Sequence, residues 1–133
     1  MAPAARPSTV RRLDLDGLVS RAELVLEGRC VARESLRAAD GLILTRTTVR
    51  VSRGLRGAEP GELISWLQPG GELGDEGLQI PGLPALVPGE EALLFLTAAT
   101  SSGVRVPVGL GQGLHRARRD PATGQRPPAP ALP

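Results

Sequence analysis

The sequence predicts a small, mostly-β domain: a closed or partly open barrel of five or six short strands with a short N-terminal helix. Three observations carry this. Residues 42–53 (LILTRTTVRVSR) alternate for six periods, with Ile43, Thr45, Thr47, Val49 and Val51 on one face and Arg46, Thr48, Arg50 and Ser52 on the other. Gly- and Pro-rich corners separate this run from similar ones. No helix-period segment lies between the strand candidates, so a doubly wound α/β fold has no crossover helices to build with.

The elements follow in order. Residues 13–22 (LDLDGLVSRA) read as the helix, with Leu15, Leu18, Val19 and Ala22 at helical spacing and Asp14 or Asp16 as its N-cap. Residues 23–33 (ELVLEGRCVAR) alternate as a strand. Leu24, Leu26, Gly28, Cys30 and Ala32 point one way, and Glu27, Arg29 and Arg33 the other. Gly28 in its middle predicts a bulge or bend. Asp40-Gly41 is a turn signal, so residues 23–53 form a long hairpin. Residues 62–67 (ELISWL) are a third strand, and 92–97 (ALLFLT), apolar on both faces, a central one. Val104, Val106 and Val108 alternate in a fifth strand. Residues 113–119 give a short sixth at an edge, where arginines discourage aggregation. Between the third strand and the central one, residues 69–91 form a long Gly/Pro-rich loop.

Domain boundaries come from composition. Residues 1–12 are an Ala/Pro-rich segment expected to be flexible, 13–119 the barrel domain, and 120–133 a tail with five prolines and almost nothing to bury. The basic residues are all Arg, with no Lys and no Tyr, as a genome of high GC content would produce. The formal charge is only +2. It is unevenly spread: residues 57–104 hold seven acids and no Arg. Either the folded domain has acidic and basic faces, or neighbouring strands mix these segments and cancel the difference. No apolar run is long enough to span a membrane as a helix. No signal-peptide pattern opens the sequence, so as written the chain is expected in the cytoplasm. If an upstream signal is missing from the start, it is exported.

Several segments resemble a known family. Residues 22–31 (AELVLEGRCV) are similar to the first barrel strand of netrin-like domains, the module of tissue inhibitors of metalloproteinases, where a short helix also precedes the strand. Thr45–Val51 ending in Leu55-Arg56-Gly57, and Pro88–Leu96, resemble later strands of that family. The same order resembles small, uncharacterised, typically exported bacterial proteins with a Gly-Gly loop, here Gly70-Gly71, and a Gly-x-x-Gln-Gly element, here Gly109 to Gly113 with Gln112. The resemblance covers about residues 14–118 and implies an OB-like barrel. The animal inhibitors are disulfide-bonded and dock through an N-terminal Cys. This chain has a single Cys, Cys30, so protease inhibition does not carry over to any residue here.

The chemistry-bearing residues are few. Cys30 lies in an apolar stretch and reads as a buried filler. The only histidine, His115, is flanked by Arg116 on an edge strand and reads as a surface residue. Ser65, Ser101 and Ser102 have no elbow motif around them. Glu72, Asp75 and Glu76 could hold a weak Ca²⁺, but their spacing matches no metal loop, and solvated loop charge is the expectation. Gly109, Gly111 and Gly113 lie between strands and do not open a helix, so they read as a turn and not as a phosphate cradle. Gln112 either bonds loop backbone or faces a ligand. Trp66 is core or a partly exposed anchor.

The function expected is therefore a non-enzymatic binding module for a protein partner, with no cofactor and no metal. Its contact region is the long loop, at Gly70, Gly71, Glu72, Asp75 and Glu76, with Gln112. The alternative is single-stranded nucleic-acid binding through Arg46, Arg50, Arg53 and Arg56 with Arg116, Arg118 and Arg119. Only Trp66 and Phe95 are available as aromatic platforms, where each base stack is worth about 1–3 kcal/mol.

Overall fold

The computed structural model describes residues 14–117. Residues 1–12, Leu13, Arg118, Arg119 and the tail 120–133 lie outside the described residues. Helix α1 (Leu15–Arg21) comes first, followed by strands β1 (Leu24–Arg37), β2 (Ile43–Arg56), β3 (Leu63–Pro69), β4 (Gly71–Leu73), β5 (Glu76–Leu78), β6 (Glu91–Leu96) and β7 (Leu114–Arg116). The fold is mostly β. One antiparallel sheet has the order β3-β2-β1-β6-β7, and β4–β5 form a separate two-stranded hairpin.

The N-cap of α1 is Asp14, whose Oδ1 accepts the Gly17 N–H at 2.8 Å. Its other end is held by Arg56, which donates to the carbonyls of Val19 and Ala22 at 2.6 and 3.0 Å. A cation there meets the negative end of the helix. The helix packs Leu18, Leu15, Val19 and Ala22 onto Val25, Leu93 and Phe95 on one face of the sheet. The opposite face carries Leu26, Cys30, Val49, Val51, Trp66 and Leu94. Strands β1 and β6 are thus covered on both sides, which is why residues 92–96 are apolar throughout. Fully burying such a side chain contributes about 1.5–3 kcal/mol, and Trp66 belongs to this core at 3% exposure.

The long hairpin forms as expected, with β1 and β2 paired from Val25–Arg56 to Arg37–Ile43. The inward face of β2 is the alternating set Ile43, Thr45, Thr47, Val49 and Val51, all buried. Strand β1 departs from simple alternation. Register shifts fall between Glu27 and Gly28 and between Cys30 and Ala32. Glu27 keeps its expected face, opposite Leu93, but α1 covers that face, so Glu27 is buried and pairs with Arg53 at 2.9 Å. Past the shift at Cys30, Ala32, expected inward, is exposed.

Two segments differ more. Residues 69–91 are not one open loop, because the β4–β5 hairpin turns at Gly74-Asp75 within them. Their Gly content hid the hairpin, since three-residue strands leave no room for an alternating pattern. Residues 104–108 are not a ladder-forming strand either. Leu67 bridges Val104, and Leu96 bridges Pro107, each in isolation. The stretch bonds β3 at one point and β6 at another, and Pro107 has no N–H to extend a ladder. The described ladders leave the sheet open.

Candidate functional site

The site begins with the way β4–β5 docks on the far end of the β1–β2 hairpin. Thr45 Oγ1 donates to the Gly70 carbonyl at 2.7 Å, and Ser35 Oγ, 3.4 Å from Thr45 Oγ1, accepts the Glu72 N–H at 3.3 Å. Gly71 sits between them at φ 140°, and a Cβ there would come within 2.6 Å of Ser35 Oγ and also strike Thr45 Oγ1. The Gly-Gly pair is thus a docking device: without side chains, the hairpin backbone can lie against two hydroxyls.

Residues 79–90 cross the open end of the core as a strap. Leu86 inserts into the core at 2% exposure, and its carbonyl lies 3.6 Å from the Cys30 thiol. Gln68 holds the strap from below. Its Nε2 donates to the Pro84 carbonyl at 3.0 Å, and its Oε1 accepts the Trp66 indole N–H at 3.1 Å. Arg116 holds it from the side, bonding Glu90 at 3.0 Å and the Ala85 carbonyl. The Val87 N–H donates to Glu90 Oε1 at 2.8 Å, and that bond, with help from Arg116, holds the Glu90 carboxyl below its ordinary range. Burial pushes the Cys30 thiol up, so it stays protonated.

Between hairpin and strap lies a groove of about 680 Å³. This is within the range of about 300–1,000 Å³ usual for binding clefts. Gly70, Gly71 and Glu72 line it, as the sequence suggested for the loop. Asp75 and Glu76 do not; they sit at the hairpin's far end, where Glu76 pairs with Arg37 at 2.6 Å. Gln112 is elsewhere, in a 3-10 turn at Leu110–Gly113, where its side chain donates to the Gly109 carbonyl at 3.3 Å. Sequence reasoning missed Arg33, Gln68, Gln79 and Arg116 as groove residues. A Gln beside the buried Trp66 was the available signal; Arg33 and Arg116 looked like ordinary outward strand residues. Among the described residues no three His, Cys, Asp or Glu side chains converge as metal ligands.

The arginines are mostly engaged. Arg46 pairs with Glu34, Arg53 with Glu27, Arg56 with the end of α1, and Arg116 with Glu90. Arg29, Arg37 and Arg116 take their acids (Glu91, Glu76 and Glu90) from the Arg-free stretch 57–104. Folding therefore mixes the charged segments, and half of the six described ion pairs join one segment to the other.

No described helix is long and apolar enough to cross a membrane. Compared with protein-family models, curated proteins and solved structures, the chain matches none.

Proposed function

We propose that this chain is a non-enzymatic β-barrel binding module that holds a protein partner in the groove between the β4–β5 hairpin and the strap. The carrying observation is that the groove is built on fixed walls. Gly71 is seated on two hydroxyls, and Leu86 anchors the strap in the core, while Arg33, Glu72 and Gln79 line the opening. A rigid scaffold presenting polar loop residues is the usual arrangement of a binding surface. Neither Cys30 nor His115 lines this groove: Cys30 is buried and protonated, and His115 packs edge-on to Phe95 at 6.2 Å.

The barrel part of this proposal draws support from residues 103–107. They bond Leu67 of β3 through Gly103 and Arg105, and Thr97 after β6 through Val106. A stretch that touches both is where an OB-like, netrin-like sheet would close.

Excising the whole loop is a poor test, because it would pull Leu86 from the core. The test is instead a pull-down with Glu72→Ala/Gln79→Ala beside wild type, with Leu63→Ala, an exposed site off the groove, as control. The far-ultraviolet spectrum should be unchanged in all three. The groove variant should release the captured protein and the control should keep it. Equal capture by all three places the contact elsewhere.

A further inference from the structure

The groove's hairpin wall carries an unused backbone edge. Strands β4 and β5 pair Gly71 with Leu78, Glu72 with Gly77 and Leu73 with Glu76. They are joined by Gly74 at φ 58° and by Asp75, whose φ is not positive, the pattern of a type II′ turn. In a two-residue hairpin the pair flanking the turn exchanges both ladder bonds, so the next pair directs its amides outward. Glu72 fits this, since its N–H leaves the ladder for Ser35 Oγ at 3.3 Å. The same alternation turns the N–H and C=O of its opposite number, Gly77, away from the ladder, and among the described residues neither bonds to anything beyond the hairpin. Gly77 also lines the groove.

The fold gives no reason for a glycine at position 77. Its φ is not positive, and a Cβ would meet nothing nearer than 3.9 Å. A glycine weakens a strand, and where no turn or crowding requires one it commonly marks close approach by another backbone. The same groove holds a charge waiting for a partner: the guanidinium of Arg33, on β1, makes no ion pair or side-chain hydrogen bond among the described residues.

We infer that the partner enters as an extended strand that pairs with the free edge of β5 at Gly77 and offers a carboxylate to Arg33. This inference rests on the groove reading above and adds the chemistry of the occupant. Main-chain bonds supply affinity in such strand addition, and alternate side chains supply selectivity. An acidic residue spaced to meet Arg33 is selected over a basic one by charge.

The probe is a fluorescein-labelled peptide of about eight residues alternating Val and Glu, a length suited to strand addition. It is read by anisotropy on the full chain. Two controls accompany it: the Val/Lys counterpart, and the Val/Glu peptide N-methylated at alternate residues. The Val/Glu peptide should bind at least about tenfold more tightly than either control, as loss of one hydrogen bond to a charged group implies. Arg33→Gln should weaken it by a similar factor. Gly77→Pro, which removes an outward N–H, should do so too. Because proline could also disturb the hairpin, hydrogen exchange in the unmodified protein is the second measurement. The Gly77 amide should become protected on saturation with peptide. Three results overturn the inference: equal binding of the N-methylated peptide, an unprotected Gly77 amide at saturation, or no binding of any of these peptides. If the Glu72→Ala/Gln79→Ala variant still releases its partner in the pull-down, the groove reading survives that failure and only the strand mode falls.

Discussion

Trp66 donates its indole N–H to Oε1 of Gln68 over 3.1 Å, and both side chains are buried. Gln68 passes the contact on to the Pro84 carbonyl, so one amide satisfies the largest core residue and ties down the strap. Replacing Gln68 with Leu keeps volume but orphans a buried N–H and a carbonyl. An unsatisfied buried group costs about 1–3 kcal/mol. Gln68→Leu should therefore lower stability by an amount in that range, and Trp66→Ala by about 3–5 kcal/mol. Urea unfolding followed by far-ultraviolet dichroism measures both. A Gln68→Leu midpoint equal to wild type would show that the relay contributes nothing net.

Gly113 ends the 3-10 turn where three backbone atoms converge. A Cβ there would lie 2.6 Å from both the N and O of Val108 and 2.9 Å from the Phe95 carbonyl. Backbone cannot swing aside as a side-chain tip does. Gly113→Ala should destabilise by about 1–3 kcal/mol or more through overpacking. A melting temperature within a degree or so of wild type would contradict this.

Glu90 makes the strap pH-sensitive. Its folded pKa is lowered from 4.5, first by the Val87 N–H and then by Arg116. A carboxyl lowered on folding adds stability that is present above its unfolded pKa and is lost as pH falls through the folded value. Titration from about pH 6 down to about pH 3 should thus weaken the protein. Glu90→Gln should flatten that acid limb, because an amide does not titrate. Parallel acid limbs in the two proteins would assign the loss to other carboxyls.

Cys30 behaves in the opposite sense at high pH. Burial raises its thiol pKa above the ordinary 9.0. The unfolded chain ionises first, so stability is complete below about pH 9 and declines as pH rises toward the folded value. At neutral pH the native thiol should react with a disulfide reagent only as fast as the protein opens, and at full speed in urea. Rapid labelling of the native protein would mean the strap lifts freely from the core.

Single-stranded oligonucleotides should bind weakly, with a shallow salt dependence. Among the described arginines expected to form a basic face, Arg46, Arg53, Arg56 and Arg116 are already bonded within the protein, and Arg50 is left. One or two phosphate contacts give a log–log slope of only about −0.7 to −1.4. Anisotropy across a salt series returns that slope, and a value several times steeper would favour the nucleic-acid alternative.

The sequence made the long hairpin, the helix with its Asp14 cap, the doubly covered β6 and the buried Cys30 legible. Each rests on local periodicity or a local cap, which a single chain displays openly. It hid what depends on tertiary geometry. The helix closed over the face that carries Glu27, and a register shift after Cys30 turned Ala32 outward; no pattern of residue types announces either. The β4–β5 hairpin was invisible because its strands are too short for alternation and too rich in Gly for β-propensity. Of the six residues expected at the site, Gly70, Gly71 and Glu72 line the groove. Arg33, Gln68 and Arg116 came from strands distant in sequence, and only folding brings them to the groove.

Leu86 gives the strap a second consequence. Because the same segment seals the interior and forms a wall of the groove, the shape of that wall is inherited with the fold and cannot drift independently. The residues at the opening carry no such obligation. Descendants of this chain can change Arg33, Glu72 or Gln79 and so change what they recognise, while the cleft that does the recognising is preserved by the demands of folding alone.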